Sequence, residues 1–150
     1  MLQLSDPATA QAVLALQLSA YASEAAIIGS SGIPTLHETL ADVLGSDDRA
    51  LGVYVVEQLA GCITFTSIGQ VLEICKMMVR PDLFRTGIGT RLLRGLLGYE
   101  VRTTRVRVST AAKNYPAIQF YLRHGFKETG RPLTCDGIEL VQFEKDLIRG

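Results

Sequence analysis

The chain has 150 residues, 47% of them hydrophobic and 20% charged, which suffices for a buried core and excludes a disordered segment. Fifteen basic and fifteen acidic residues cancel, so the whole chain lacks the charge footprint of a nucleic-acid or acidic-membrane binder. No apolar run reaches the ~18 residues of a membrane helix, and two histidines with three scattered cysteines speak against a dedicated metal site.

Residues 2–4 read as a short first strand. Asp6-Pro7 then resembles an N-cap with Pro in the first turn. Leu14, Leu18, Tyr21, Ala22 and Ala25 recur at helical spacing, and "GSSG" at 29–32 ends that amphipathic helix. A second helix is expected over 35–44, with Leu36, Leu40 and Val43 on one side and Thr35 with Glu38 as a capping box. After residues 45–48 the period changes. "ALGVYVVEQ" and "GCITFTSIG" form a hairpin of β-branched and aromatic strands, and "QVLEICKMMV" supplies a third strand beside them.

A helix over 87–99 buries Leu92, Leu93, Leu96 and Leu97 and leaves Arg91 and Arg94 outside. "TRVRVST" at 104–110 alternates as a strand does, Val106 and Val108 on one face and Arg105 and Arg107 on the other. A helix over 116–123 ends at Gly125, and strands follow near 126–134 and 138–145. The order is α+β in one domain, residues 1–150, with about six to seven strands and about four helices; the central strand, helix, strand unit implies a parallel pair.

Charge is unevenly distributed. Asp6, Glu24, Glu38, Asp42, Asp47 and Asp48 precede the first basic residue, Arg49. This is either a solvated acidic face or a sign that two halves of a cleft prefer ligands of opposite charge. Cys62, Cys75 and Cys135 are far apart and without a CxxC pair, and the N-terminus lacks the basic start of a signal peptide. Reduced thiols in a cytoplasmic protein are expected.

"MMVRPDLFRTGIGTRLL" at 77–93 places Gly87 and Gly89 where a helix begins, although glycine is a poor helix former. A helix N-terminus presents unpaired N–H groups and the positive end of its dipole, and glycine lets an anion approach that backbone. Spacing alone is weak, since 14 glycines in 150 positions give about one Gly-x-Gly by chance. The dinucleotide fingerprint would need a Gly where Leu92 stands, and no Gly-Lys-Ser/Thr follows. A second stretch, "NYPAIQFYLRHGF" at 114–126, spaces Asn114, Ala117 and Tyr121 by three and four, near one helix face. Gly125 fits a helix-ending left-handed cap.

Together, "VRPDLFRTGIGTRLL" and "NYPAIQFYLRHGF" resemble the acetyl-coenzyme A binding core of the GNAT superfamily of N-acetyltransferases. Asn114, Ala117, Tyr121, Gly125 and Phe126 match that family's spacing. Gly87 and Gly89 match its glycine motif, whereas Phe84 stands where Gln or Arg is expected. The resemblance covers residues 71–126 and is looser over the N-terminal third.

The resemblance implies a mixed central sheet with two splayed parallel strands. The pantetheine arm would pair with the backbone of Met77, Met78 and Val79, the Met78 amide donating to the thioester oxygen. The diphosphate would rest on the amides of Arg85, Thr86, Gly87, Ile88, Gly89 and Thr90, with Asn114, Ala117 and Tyr121 completing the cofactor side. Tyr121 would protonate the leaving thiolate. Glu73, six residues before Val79, shares a strand face with Cys75, Met77 and Val79 by period two; it is either a base acting through water or the ion-pair partner of a nearby Arg. Ser109 stands where the branch that acetylates protein N-termini carries an acid. Tyr21, Glu24, Ile33, Pro34 and Glu38 are in contention for the acceptor wall, and His37 fits a helix surface. The implied activity is transfer of acetyl from acetyl-coenzyme A, without metal, to a primary amine of a small molecule or peptide. A non-catalytic acetyl-coenzyme A sensor or scaffold is the alternative, and a homodimer is a family-level expectation only.

Overall fold

A computed structural model describes residues 1–29, 37–99, 102–135 and 137–147. The elements in chain order are α1 (Pro7–Ile28), α2 (Leu40–Leu44), β1 (Arg49–Val55), β2 (Gln58–Ile68), β3 (Val71–Val79), α3 (Ile88–Tyr99), β4 (Arg105–Ala111), α4 (Tyr115–Arg123), β5 (Lys127–Cys135) and β6 (Ile138–Asp146). Six strands form one mixed sheet in the order β1-β2-β3-β4-β6-β5, in which only the β3–β4 pair is parallel.

Both helix ends of α1 follow from local chemistry. The Asp6 carboxylate accepts the Thr9 N–H at 3.0 Å, Pro7 opens the first turn, and Gly29 closes the helix at φ +72°. The expected face is buried only in part: Leu14, Tyr21 and Ala25 pack against the core. Ala10, Val13, Leu16 and Gln17 are buried, whereas Leu18 is 38% exposed and Ala22 is exposed. The helix is apolar on most sides, so its period does not select a face; contact with the sheet does.

Two further expectations change. Residues 2–4 make a single antiparallel bridge, the Leu2 N–H donating to the Ala50 carbonyl at 2.8 Å, rather than a strand. The second helix begins at Leu40 because Thr39 and Asp42 cap it reciprocally: the Asp42 N–H reaches Thr39 Oγ1 at 3.3 Å, and the Thr39 N–H reaches Asp42 Oδ2 at 2.7 Å. Thr35 and Leu36 lie outside the described residues.

Two apolar layers sandwich the sheet. On one face Ile88, Leu92, Leu93 and Leu96 of α3 and Tyr121 of α4 pack on Ile63, Phe65, Leu72, Ile74, Val106, Val108, Val141 and Phe143. On the other, Ala10, Val13 and Leu16 of α1 and Val43 of α2 cover Ala50, Cys62 and Met78. Gly61 sets the α3 docking distance. A Cβ there would lie 2.6 Å from Ile88 Cγ2, so the start of α3 sits directly on β2.

The β1–β2 hairpin turns through Val56 and Glu57 at φ +50° and +63°. Two positive φ values are what a two-residue turn between twisted strands requires, but Asn-Gly suits them and a β-branched residue does not. Val56 is 90% exposed, so no packing offsets the strain. Replacing Val56-Glu57 by Asn-Gly is expected to raise stability by about 1–2 kcal/mol in urea unfolding.

Candidate active site

The parallel pairing of β3 with β4 runs from Val71 opposite Arg105 to Ile74 opposite Val108, and goes no further. β3 stays on β2 to its end, Val79 opposite Gly61, but its register jumps between Thr64 and Phe65 of β2, leaving Cys75 as an extra residue on β3. This bulge bends β3 away from β4 and opens a gap between Met77–Val79 and the end of β4.

The bulge also resets the strand's alternation. Leu72 and Ile74 face the α3 core, then Met77 and Val79 do, while Met78 faces α1. Glu73 therefore does not share a face with Met77 and Val79. It is exposed, stands where the sheet is still closed, and is paired in register with Arg107. The shared face that pointed to Glu73 as a base is absent, because period two does not survive the extra residue.

Backbone donors in the gap are likewise assigned by alternation. The Met77 amide faces the Tyr21 phenol, and the Arg80 N–H pairs with the Ala60 carbonyl on β2 at 2.8 Å. Alternation then turns the Met77 and Val79 amides into the gap and the Met78 amide toward β2. Met78 is the sequence-level choice for the oxyanion donor, and the structure favours its neighbours.

Around the head of the gap stand α1 and α4. Asn114 caps α4 by accepting the Ala117 N–H at 3.3 Å, and its Nδ2 donates to Glu24 Oε1 of α1 at 3.1 Å. The Tyr121 ring is core, stacked with Phe143 at 6.1 Å and edge-on to Phe126 at 5.3 Å. Its hydroxyl reaches the gap and donates to Met77 Sδ at 3.6 Å. Burial raises the pKa of both Tyr21 and Tyr121, and the Glu24 charge raises both further. Burial also raises the Glu24 carboxyl, against the lowering effect of the Asn114 hydrogen bond.

At the far end of β3, residues 80–87 form a tight turn. The Thr86 hydroxyl donates to the Leu83 carbonyl at 2.6 Å, and Arg85 and Gly87 adopt φ +65° and +92°. Such alternation of hand turns successive N–H groups to one side. The first turn of α3 adds N–H groups without intrahelical acceptors. The two glycines have different reasons. The space beside Gly87 is open and its φ is left-handed, whereas a Cβ on Gly89 would meet the Phe120 ring of α4 at 3.3 Å. Gly87 shapes the open side of the turn, and Gly89 brings α3 against α4. Arg85 and Thr86 are exposed; Ile88 is buried, so only its backbone is available. The Thr90 hydroxyl is hydrogen-bonded to His124 Nε2 at 3.2 Å, while His124 Nδ1 donates to the Phe120 carbonyl at 2.8 Å.

On the α1 side, both Glu38 oxygens are engaged by other side chains. Lys76 Nζ bonds Glu38 Oε1 at 2.7 Å, and Gln17 Nε2 bonds Glu38 Oε2 at 2.9 Å, in a half-buried network. Sequence reading missed Lys76 and Gln17, although a lysine in "EICKMMV" and a glutamine amid leucines were the available signals. The network ties the segment before α2 to β3. Ile33 and Pro34 lie outside the described residues, and His37 is exposed. Asp6 and Asp42 cap helices, Glu38 is paired with Lys76, and Glu24 reaches Asn114 at the head of the gap. Among the described residues no group of three or more His, Cys, Asp or Glu could hold a metal, and no helix is long and apolar enough to cross a membrane.

The glycine reasoning is testable by double-mutant cycles. Gly87→Ala is expected to lose about 1 kcal/mol whether or not Phe120 is trimmed to Leu. Gly89→Ala gains helix propensity of about 1 kcal/mol in full only in the Phe120→Leu background. Urea unfolding of the four combinations measures both couplings.

Known proteins are similar to this chain. YqkA of Bacillus subtilis (strain 168), described as a UPF0157 protein, is 34% identical over 142 residues, which are 95% of this chain. The chain spans 41% of the length of that curated relative. The paia N-acetyltransferase of Thermoplasma acidophilum, solved in complex with coenzyme A, superposes with a TM-score of 0.73 at 17% identity over 95% of each chain. The ribosomal-protein-S18-alanine N-acetyltransferase of Escherichia coli does so with 0.73 at 16% identity, over 94% of this chain and 89% of its own. At these identities the likeness is one of fold. The profile of the acetyltransferase (GNAT) domain matches residues 49–128, from the first strand through α4 and into β5. With more than half of its length so matched, and with the splayed pair and glycine turn in their places, the chain belongs to the GNAT family of acetyltransferases.

Proposed function

We propose that the chain is an N-acetyltransferase that moves acetyl from acetyl-coenzyme A to a primary amine of a small molecule or peptide by direct attack on the thioester. The observation that carries this reading is the Tyr121 hydroxyl, positioned on Met77 where β3 and β4 part. In this reading residues 1–150 act as one acetyltransferase domain, in the cytoplasm.

The pantetheine arm lies along Met77–Val79, in the strand position that β4 vacates. The Met77 and Val79 amides face it, and one of them stabilises the thioester oxygen as it gains charge, an effect on the order of 10² to 10³ in rate. The diphosphate occupies the turn from Arg85 to Thr90, where the open side of Gly87 admits it. Phe84, 43% exposed, leaves this contact to backbone donors rather than to a Gln or Arg side chain. Asn114 acts on the cofactor side by fixing the start of α4, with Ala117 and Tyr121 one and two turns on.

Chemistry requires a neutral amine, a stabilised oxyanion and a proton for the leaving thiolate. Tyr121, kept protonated by burial, supplies that proton and recovers one from the amide nitrogen as the tetrahedral intermediate collapses. A covalent acetyl-cysteine route through Cys62 or Cys75 is disfavoured. Burial pushes the Cys62 thiol up to about 12 and the Cys75 thiol up to about 11, so neither is a nucleophilic thiolate near neutral pH.

Calorimetry with coenzyme A and acetyl-coenzyme A, and thiol release across polyamines, aminoglycosides, amino acids and peptides, test this reading. Binding with turnover on at least one amine is the expected outcome. Binding with no thiol release from any amine would favour an acetyl-coenzyme A sensor or scaffold. Tyr121→Phe is expected to lower turnover about 10²-fold or more, much more than it weakens coenzyme A binding; wild-type turnover in that variant would remove Tyr121 from the mechanism.

A further inference from the structure

Resting on the acetyltransferase reading, we infer that Glu24 of α1, oriented by Asn114, is the residue that binds the acceptor's ammonium group and takes its first proton. Glu24 is partly buried where α1 passes over the gap, with one oxygen held by Asn114 Nδ2 at 3.1 Å. Among the described residues no Lys or Arg forms an ion pair with it, in contrast to Glu38, which Lys76 neutralises. Among the described residues such a carboxylate has no counter-ion, and a cationic amine would supply one. Among the described residues, the ionisable groups that feel its charge are Tyr21 on α1 and Tyr121 on α4.

The proton balance closes with these groups. The R–NH₃⁺ nitrogen gives one proton to the Glu24 carboxylate, and its lone pair forms the C–N bond as the C=O pair moves to oxygen. Collapse breaks the C–S bond. The thiolate takes the Tyr121 proton, the tyrosinate takes the second proton from nitrogen, and Glu24 releases the first to solvent.

The parent chain and Glu24→Gln, which keeps an oxygen for Asn114, are compared by three measurements. Coenzyme A calorimetry reads the acetyltransferase assumption and the integrity of the glycine turn; equal affinity is expected in both proteins. Thiol release against pH, on an amine that the parent turns over, is expected to fall about 10²-fold in Glu24→Gln and to lose the parent's acidic limb. Carbon NMR of labelled glutamates, with Glu24→Gln assigning the resonance, is expected to show Glu24 titrating above the surface carboxyls and shifting on addition of spermidine.

Stability adds an independent sign. The folded Glu24 holds its proton more tightly than the unfolded one, so its contribution favours folding below the unfolded value and is lost as pH rises through the folded value. Glu24→Gln is therefore expected to gain melting temperature over the parent as pH rises. A variant with parental turnover and acidic limb, or a Glu24 resonance that titrates with the surface carboxyls and ignores spermidine, overturns the inference. If the parent fails to bind coenzyme A, the acetyltransferase reading falls, and the NMR titration still decides whether Glu24 receives a cation.

Discussion

The organising constraint is the extra residue at Cys75. One unpaired position on β3 keeps the strand on β2, ends its pairing with β4 after Ile74, and exchanges the faces of every residue beyond it. Backbone amides that a closed parallel ladder would consume are thereby turned into a gap. Met77 and Val79 enter the α3 core, Met78 enters the α1 core, and Glu73 stays behind in the closed sheet. The same displacement leaves room at the head of the gap for a phenol from α4 and a carboxylate from α1.

The helices hold that opening from both faces. α3 is pressed onto β2 at Gly61 and onto α4 at Gly89, so the turn that begins it is fixed relative to both the sheet and Tyr121. On the opposite face, the Lys76–Glu38–Gln17 network ties the residue after the bulge to α1 and to the chain entering α2. A half-buried ion pair of this kind contributes less to net stability than to a defined arrangement, since desolvation offsets much of its attraction.

Much of this was legible from residue order. β-branched alternation marked β1 to β4, caps at Asp6 and Gly125 marked helix ends, and the paired motifs marked the turn before α3 and the tyrosine of α4. What escaped was whatever depends on contact between distant segments. The apolar surface of α1 gave several equivalent faces, and the sheet chose Ala10, Val13 and Leu16 over Leu18 and Ala22. The bulge has no local signature in "LEICKMMV", so a period-two count carried Glu73 to the wrong face. Gly89 was readable as a glycine that matters, but Phe120, thirty-one positions away, supplies the reason. Glu24 was one acid among six until Asn114, ninety positions on, reached it.

The sheet's two margins have a consequence for how other molecules can approach it. At one margin Leu2 already occupies the Ala50 carbonyl of β1. At the other, the β5 ladder to β6 is interrupted twice, around Gly130, and β5 carries Pro132, which has no N–H to offer. A strand seeking to extend the sheet would need a flat, unbroken row of donors and acceptors, and neither margin presents one. Growth by strand addition is thus discouraged at both ends.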